Sequence, residues 1–109
     1  MNIGFDYSGT MDTYPEQFTS IGKAIQAQGG GVYIFSAVGF GDLAFDQVIT
    51  KQFPWVDKVI TFEATHAPTQ KLELCKEFGV EVFYDDMQDI VDNLNDNGVL
   101  AFRVWRRGQ

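Results

Sequence analysis

Short apolar runs of strand length alternate with stretches of helical periodicity along the whole chain. The predicted strands are residues 2–6, 31–35, 58–62, 81–84 and 98–104, and the predicted helices are about 15–28, 41–52, 69–79 and 87–95. Strands that alternate with helices in this way are typical of a parallel sheet covered by helices on both faces. The sequence therefore predicts a three-layer, Rossmann-like α/β fold.

The length of 109 residues suits one domain and is too short for a second, so we expect a single domain over residues 1–109. Hydrophobic residues make up 45% of the chain, and burial of this much apolar surface can offset the entropy lost on folding. We therefore expect the chain to be folded from end to end.

The formal net charge of the chain is −7. A field of this sign repels the phosphate backbone and disfavours nonspecific binding of nucleic acid. Arg103, Arg106 and Arg107 lie close together in the sequence, where they form either a small basic patch or a solvated end to the last strand. Nucleic acid is therefore not the expected partner.

No apolar segment approaches the ~20 residues needed to cross a bilayer, and no signal-peptide pattern is present. We expect a soluble, cytoplasmic protein with no membrane partner. Cys75 is the single cysteine and cannot form an internal disulfide, which fits a reducing compartment. Its spacing from Leu72 and Phe78 on a predicted helix favours a packed thiol over a reactive one.

Polar residues follow several predicted strands at their carboxyl ends. They are Asp6, Ser36, the loop 63–69, and Asp85 with Asp86. In an open parallel sheet, ligands bind at this edge, where the strand order reverses. These acids and hydroxyls, together with the nearby Lys71, suit a divalent cation and a phosphate group.

Asp6 ends the first predicted strand and is followed closely by Ser8, Gly9 and Thr10. A carboxylate at this position can attack phosphorus and form an acyl phosphate, provided that a cation offsets the repulsion between two anions. Gly9 permits a tight turn that directs backbone N–H groups at phosphate oxygens. Taken alone, the segment is equally consistent with an ordinary turn after a strand.

Two further positions can hold a phosphoryl group. Ser36 and the following amide of Ala37 can donate hydrogen bonds to it. Lys71, in the first turn of the third predicted helix, can bridge it to a carboxylate. Lys51 and Lys76 are alternatives to Lys71. Each of these residues, considered alone, is more often structural than functional.

Asp85, Asp86 and Asp89 follow the fourth predicted strand. Neighbouring carboxylates repel one another unless a cation relieves the repulsion. Mg²⁺ commonly takes one or two protein carboxylates and keeps waters and phosphate oxygens as its other ligands. Asp85 and Asp86 therefore predict a Mg²⁺ site shared with Asp6, whereas we interpret Asp89 as stabilising the start of the fourth helix.

Taken together, these segments resemble the motifs of the haloacid dehalogenase superfamily, in particular its small members without a cap domain. Residues 6–10, Asp-Tyr-Ser-Gly-Thr, are similar to the first motif, Asp-x-Asp-Gly-Thr. The second motif is matched by Ser36, the third by Lys71, and the fourth by Asp85 with Asp86 or Asp89. Receiver domains use similar residues, but there the acidic pair comes first instead of last.

The resemblance implies a sheet order of 5-4-1-2-3 and a Mg²⁺-dependent phosphohydrolase or phosphotransferase. The implied catalytic residues are Asp6 as the nucleophile, Ser8, Ser36 and Lys71. The implied metal ligands are Asp6, the Ser8 carbonyl, Asp85 and Asp86, and the implied phosphate contacts are Gly9, Thr10, Ser36, Ala37 and Lys71. No segment is long enough for a cap, which in this family goes with large phosphorylated substrates or with a lid from a partner subunit in a homo-oligomer.

Ser8 stands where the family has its second acid, which protonates the leaving group. Serine replaces it poorly in a role that contributes roughly 10²–10⁴-fold to the rate. Two hypotheses therefore stay open: a slow phosphohydrolase, or a catalytically silent domain that binds a phosphorylated ligand or a protein. The single histidine, His66, either contacts the substrate and substitutes for the missing acid or is a surface residue.

Overall fold

The structure is a computed structural model, and it describes residues 1–39 and 41–105. The described residues form the strands β1 (Asn2–Phe5), β2 (Val32–Val38), β3 (Lys58–Glu63), β4 (Val80–Asp85) and β5 (Leu100–Arg103). They also form the helices α1 (Pro15–Ala27), α2 (Asp46–Gln52), α3 (Ala67–Glu77) and α4 (Gln88–Asp96). The predicted alternation of strands and helices is confirmed.

Every pair of neighbouring strands is parallel, and the order across the sheet is β3-β2-β1-β4-β5. This is the predicted order 5-4-1-2-3, counted from the opposite edge. β1 lies in the centre between β2 and β4, so the winding of the chain reverses there. The carboxyl ends of β1 and β4 are therefore neighbours at the edge where such sheets bind ligands.

Side chains alternate along the strands and form a separate apolar core on each face of the sheet. On one face, Phe5 and Ile34 pack in a cluster that includes Phe18 of α1 and residues of α2. On the other face, Phe35 and Phe83 pack in a cluster with residues of α3 and α4. The helices therefore cover both faces, as the prediction of a three-layer fold requires.

The connections after β1 and β3 are short. An irregular turn, Tyr7–Met11, follows β1, and its Gly9 has a φ of 78°, in the left-handed region that favours glycine. A 3₁₀ turn, Ala64–His66, joins β3 to α3. Within residues 1–39 and 41–105, neither connection holds an inserted unit, so the prediction of a fold without a cap domain is confirmed.

β2 is longer than predicted. Residues 36–38 continue the parallel ladder with β3, where Ser36 pairs with Thr61 and Val38 pairs with Glu63. The prediction that Ser36 lies just beyond the end of this strand is therefore wrong, because backbone pairing continues past the apolar run. Alternate residues of a strand lie on the same face of a sheet, so Ser36 lies on the same face as Val32 and Ile34. The side chains of Val32 and Ile34 pack on the face covered by α1 and α2.

Two helices also differ from their predicted bounds. The second helix was predicted from residue 41, but a 3₁₀ turn, Leu43–Phe45, precedes α2, which begins at Asp46. The third was predicted from residue 69, but α3 begins at Ala67, since proline is well tolerated in the first turn of a helix. Lys71 therefore lies in the second turn of α3 and not in the first.

No helix among the described residues is long and apolar enough to cross a membrane. Arg103 ends β5, whereas Arg106 and Arg107 lie outside the described residues, so the basic patch stays a prediction.

Candidate active site

Lys71 is a buried cation that joins the ends of two central strands. Its Nζ donates hydrogen bonds to Oδ1 of Asp6 at 2.9 Å and to Oδ2 of Asp85 at 2.5 Å. Asp6 directly follows β1, and Asp85 ends β4. The predicted proximity of these two carboxyl groups is confirmed, and Lys71, unlike Lys51 or Lys76, is the lysine that reaches them.

Asp86 completes a cluster of three acids. Asp6, Asp85 and Asp86 each offer a carboxylate oxygen, and these oxygens lie within 4.8 Å of one another. All three residues are at most 5% exposed. Asp6 and Asp85 both pair with the single ammonium of Lys71, so when ionised these two acids carry more negative charge than that ammonium neutralises. Hard oxygen donors with such an excess are well suited to a divalent cation.

Burial disfavours the ionised forms of Asp6 and Asp85. It raises the pKa of Asp6 to about 8 from the ordinary value of 3.8, a shift that Lys71 opposes and Asp85 reinforces. Burial likewise raises the pKa of Asp85, with Lys71 and the Met87 amide acting against it. Burial alone would lower the pKa of Lys71, but the carboxylates of Asp6 and Asp85 outweigh it and raise that pKa. Lys71 therefore holds its proton firmly, and Asp6 and Asp85 also retain protons more readily than usual.

Backbone hydrogen bonds fix the segment that carries the second and third acids. The amide of Met87 donates to Oδ1 of Asp85 at 3.0 Å, and the amide of Val104 donates to the carbonyl of Asp85 at 2.8 Å. The Nε of Arg103 donates to the carbonyl of Asp86 at 3.2 Å. Arg103 is a support that the sequence did not predict. It becomes apparent once β5 is paired beside β4, because Asp85 and Arg103 are then opposite each other.

A cleft of about 380 Å³ opens above the acidic cluster. Its floor includes Asp6, Lys71 and Asp86, and Ser8 lies on its wall. The remaining lining residues are Ala37, Ala64, Ala67, Pro68, Met87, Asp89 and Ile90. The cleft therefore reaches the carboxyl group of Asp6.

The turn after β1 is held by a residue that the sequence analysis did not identify. The amide of Gly9 donates to Oδ1 of Asp12 at 2.7 Å, so this N–H is already paired, and its predicted phosphate contact stays a prediction. The side chain of Asp12 thus reaches back three residues to accept this hydrogen bond. Ser8 is exposed beside the cleft, and its carbonyl as a metal ligand also stays a prediction.

Thr10 is part of this turn, Tyr7–Met11. It is fully buried, and its hydroxyl has no hydrogen-bond partner among the described residues. Thr10 does not line the cleft, and it does not line a second hollow that lies next to the cleft. Its predicted contact with phosphate would therefore require the turn to move.

Ser36 lines a different hollow from Lys71. It is 2% exposed and borders a space of about 380 Å³ next to the cleft, with Ser8 and Ala37 lining both. This separation follows from the alternation along β2, which directs Ser36 away from the face of α3. Ala37 lies on the opposite face of the sheet from Ser36, and it lines the cleft whereas Ser36 does not.

Three other residues singled out by the sequence lie outside the acidic cluster. His66 does not line the cleft and has a side chain that is 68% exposed, so it is a surface residue. Asp89 is exposed in the first turn of α4, as predicted, but it also borders the cleft. Cys75 is fully buried, and burial raises the pKa of its thiol to about 12, which confirms a packed and unreactive cysteine.

A somewhat larger hollow, about 470 Å³, lies between α1 and β5. It is lined mainly by aromatic side chains, among them Tyr14, Tyr84, Phe102 and Trp105. None of the clustered acids contributes to it. The titratable groups converge at the smaller cleft, which is therefore the candidate functional site.

No protein-family model matches this chain, and no curated protein matches it. A crystal structure of an uncharacterized protein from Corynebacterium glutamicum, at 1.44 Å resolution, is similar to it with a TM-score of 0.69 and 19% sequence identity. The similarity covers 96% of this chain and 85% of that chain. The chain has a Rossmann-like α/β fold. At this level of identity, the likeness shows the fold alone.

Proposed function

We propose that the protein is a Mg²⁺-dependent phosphohydrolase or phosphotransferase of the haloacid dehalogenase type, with Asp6 as its nucleophile. The observation that carries the proposal is the position of Lys71, whose ammonium lies between Asp6 and Asp85 and beside Asp86 at the floor of an open cleft. A nucleophilic carboxylate needs nearby positive charge to approach a phosphate, and this floor can supply it.

The carboxylates of Asp6, Asp85 and Asp86 would hold the cation. Their oxygens are close enough together to share one ion, and their excess negative charge favours a divalent one. When bound, Mg²⁺ neutralises charge on the phosphoryl oxygens and polarises the phosphorus toward attack.

In this proposal, Asp6 is the nucleophile, and Lys71 positions Asp6 and supplies positive charge. A carboxylate oxygen of Asp6 attacks phosphorus, the bond to the leaving-group oxygen breaks, and an aspartyl phosphate forms. Water attacks this phosphate, releases inorganic phosphate and regenerates the carboxylate. Lys71 holds Asp6 in place through its 2.9 Å hydrogen bond and places positive charge beside the transferring group.

The leaving group takes its proton from water in the cleft. Ser8 lines the cleft, but its hydroxyl is a weak acid, and no acidic side chain stands at that position. The reaction is therefore slow for leaving groups that need a proton.

A catalytically silent binding domain is the second candidate. It is favoured by Ser8 in place of an acid and by the amide of Gly9, which is paired with Asp12 instead of being directed at a ligand. Such a domain has no need of a buried cluster of three acids around a lysine, so we rank it second. For either candidate, the open cleft is compatible with large phosphorylated substrates or with a lid supplied by a partner subunit. A cytoplasmic location stays a prediction.

Hydrolysis of p-nitrophenyl phosphate with and without Mg²⁺ tests the proposal. Asp6→Asn should lower the Mg²⁺-dependent rate by at least about 10³-fold, because the amide cannot act as a nucleophile. Asp92→Asn is the matched control, since Asp92 is exposed on α4 and does not line the cleft. Equal rates for wild type and Asp6→Asn would contradict the proposal.

A further inference from the structure

The wall of the cleft above the acidic cluster is apolar. It is formed by the end of β2, the start of α3 and the start of α4, through Ala37, Ala64, Ala67, Pro68, Met87 and Ile90. In phosphoryl transfer, the leaving group departs roughly opposite the attacking oxygen. A leaving group displaced by Asp6 at the floor therefore passes along this apolar wall.

The charges around the cleft disfavour an anionic leaving group. Among the described residues that line it, Lys71 is the only cation, and its ammonium already donates to Asp6 and Asp85. Asp89 adds an exposed carboxylate at the first turn of α4. A second anionic group on a substrate would meet no further lysine or arginine among the described residues that line the cleft, and it would be repelled by Asp89.

We infer that the cleft selects phosphate monoesters whose leaving group carries no negative charge, and that Asp89 favours a leaving group with an ammonium. The inference rests on the proposed function, because the phosphate has to bind at Asp6 for the leaving group to reach the wall. Asp89 is then a residue that determines specificity, in addition to its place in the first turn of α4.

Three two-carbon esters of similar size test the inference: phosphoethanolamine, ethyl phosphate and phosphoglycolate, whose leaving groups are cationic, neutral and anionic. We measure kcat/KM for each with Mg²⁺ at low salt, in wild type, Asp89→Asn, Asp89→Lys and the control Asp92→Asn. For each ester, the ratio of variant to wild type cancels the intrinsic reactivity of that ester.

Asp89→Lys should raise the ratio of phosphoglycolate to phosphoethanolamine by about fivefold or more, as expected for an exposed charge, and Asp89→Asn should raise it by less. Added salt should diminish these changes, and Asp92→Asn should leave the ratio as in wild type.

The outcomes separate this inference from the proposed function. Hydrolysis of all three esters with phosphoglycolate preferred, or with a ratio that Asp89→Lys does not change, would overturn the inference and leave the phosphohydrolase standing. Mg²⁺-dependent hydrolysis of p-nitrophenyl phosphate with no hydrolysis of the three esters would overturn the inference alone, and lack of hydrolysis of all four would overturn both.

Discussion

The ammonium of Lys71 lies 2.5 Å from Oδ2 of Asp85, and both side chains are almost completely shielded from water. Alone, the two would form a neutral buried ion pair. Asp6 also pairs with this ammonium, at 2.9 Å, so one cation faces two acids. Buried charges without full compensation are costly, so the cluster should gain stability from protons or from a cation.

Replacing Lys71 with Met removes the sole ammonium in the acidic cluster. We expect the free energy of unfolding to fall by about 3 kcal/mol at pH 8, because the buried carboxylates of Asp6 and Asp85 lose the cation that pairs with them. The loss should be smaller at pH 5, where the acids take up protons. Urea denaturation measures both values. Lys76→Met on the same helix is the control: Lys76 is exposed and donates only to the carbonyl of Asn97, so equal losses for the two variants would contradict the account.

The stability of the metal-free protein should fall as the pH rises from about 5 to 8. The pKa of Asp6 is about 8 in the folded protein against an ordinary value of 3.8, so the folded state binds more protons than the unfolded state between these values. The raised pKa of Asp85 acts in the same direction. Lys71 is protonated in both states over this range and adds no slope.

Urea denaturation with EDTA at several pH values checks this prediction. Asp6→Asn should flatten the pH dependence and make the metal-free protein more stable than wild type at pH 8, since an amide carries no charge to bury. A stability that rises with pH over this range, or an unchanged slope in Asp6→Asn, would be incompatible with the burial of these acids.

Binding of Mg²⁺ at pH 7 should release protons. The cation binds the ionised carboxylates, and the raised pKa values of Asp6 and Asp85 mean that part of their ionisation occurs only on binding. Isothermal titration in buffers with different ionisation enthalpies measures the number of protons. Asp86→Asn should weaken binding, whereas Asp92→Asn should not. A heat of binding that is the same in all buffers would speak against a cation in this cluster.

The rate of hydrolysis should depend steeply on the pKa of the leaving group, because Ser8 cannot protonate it. A series of aryl phosphates measured with wild type and Ser8→Asp tests this. Ser8→Asp should flatten the dependence and raise the rate for poor leaving groups by roughly 10²-fold, the lower end of the range for general acids. A variant with no gain and an unchanged dependence would favour the silent binding domain.

The proximity of Asp6 and Asp85 was predictable from the sequence, although 79 positions separate them. Both follow apolar runs of strand length, and the carboxyl ends of parallel strands meet at one edge of a sheet. Lys71 was predicted as well, but in the wrong turn of its helix. A long lysine side chain tolerates that error, because it can reach the strand ends from either turn.

The placement of Ser36 could not be predicted from the apolar run that precedes it. The run ends at Phe35, yet backbone pairing with β3 continues to Val38, and pairing does not require apolar side chains. The apolar wall of the cleft was also not predicted. Ala37, Pro68 and Met87 belong to three distant parts of the chain, and none carries a local signal of function.

A structure determined with Mg²⁺ and BeF₃⁻ tests the central claim most directly, since BeF₃⁻ on a carboxylate mimics an aspartyl phosphate. The account predicts one Mg²⁺ at about 2.0–2.1 Å from carboxylate oxygens of Asp6 and of Asp85 or Asp86, with beryllium attached to Asp6 and Lys71 beside its fluorines. No cation in the cluster, or BeF₃⁻ bound away from Asp6 at saturating concentrations of both ligands, would contradict it.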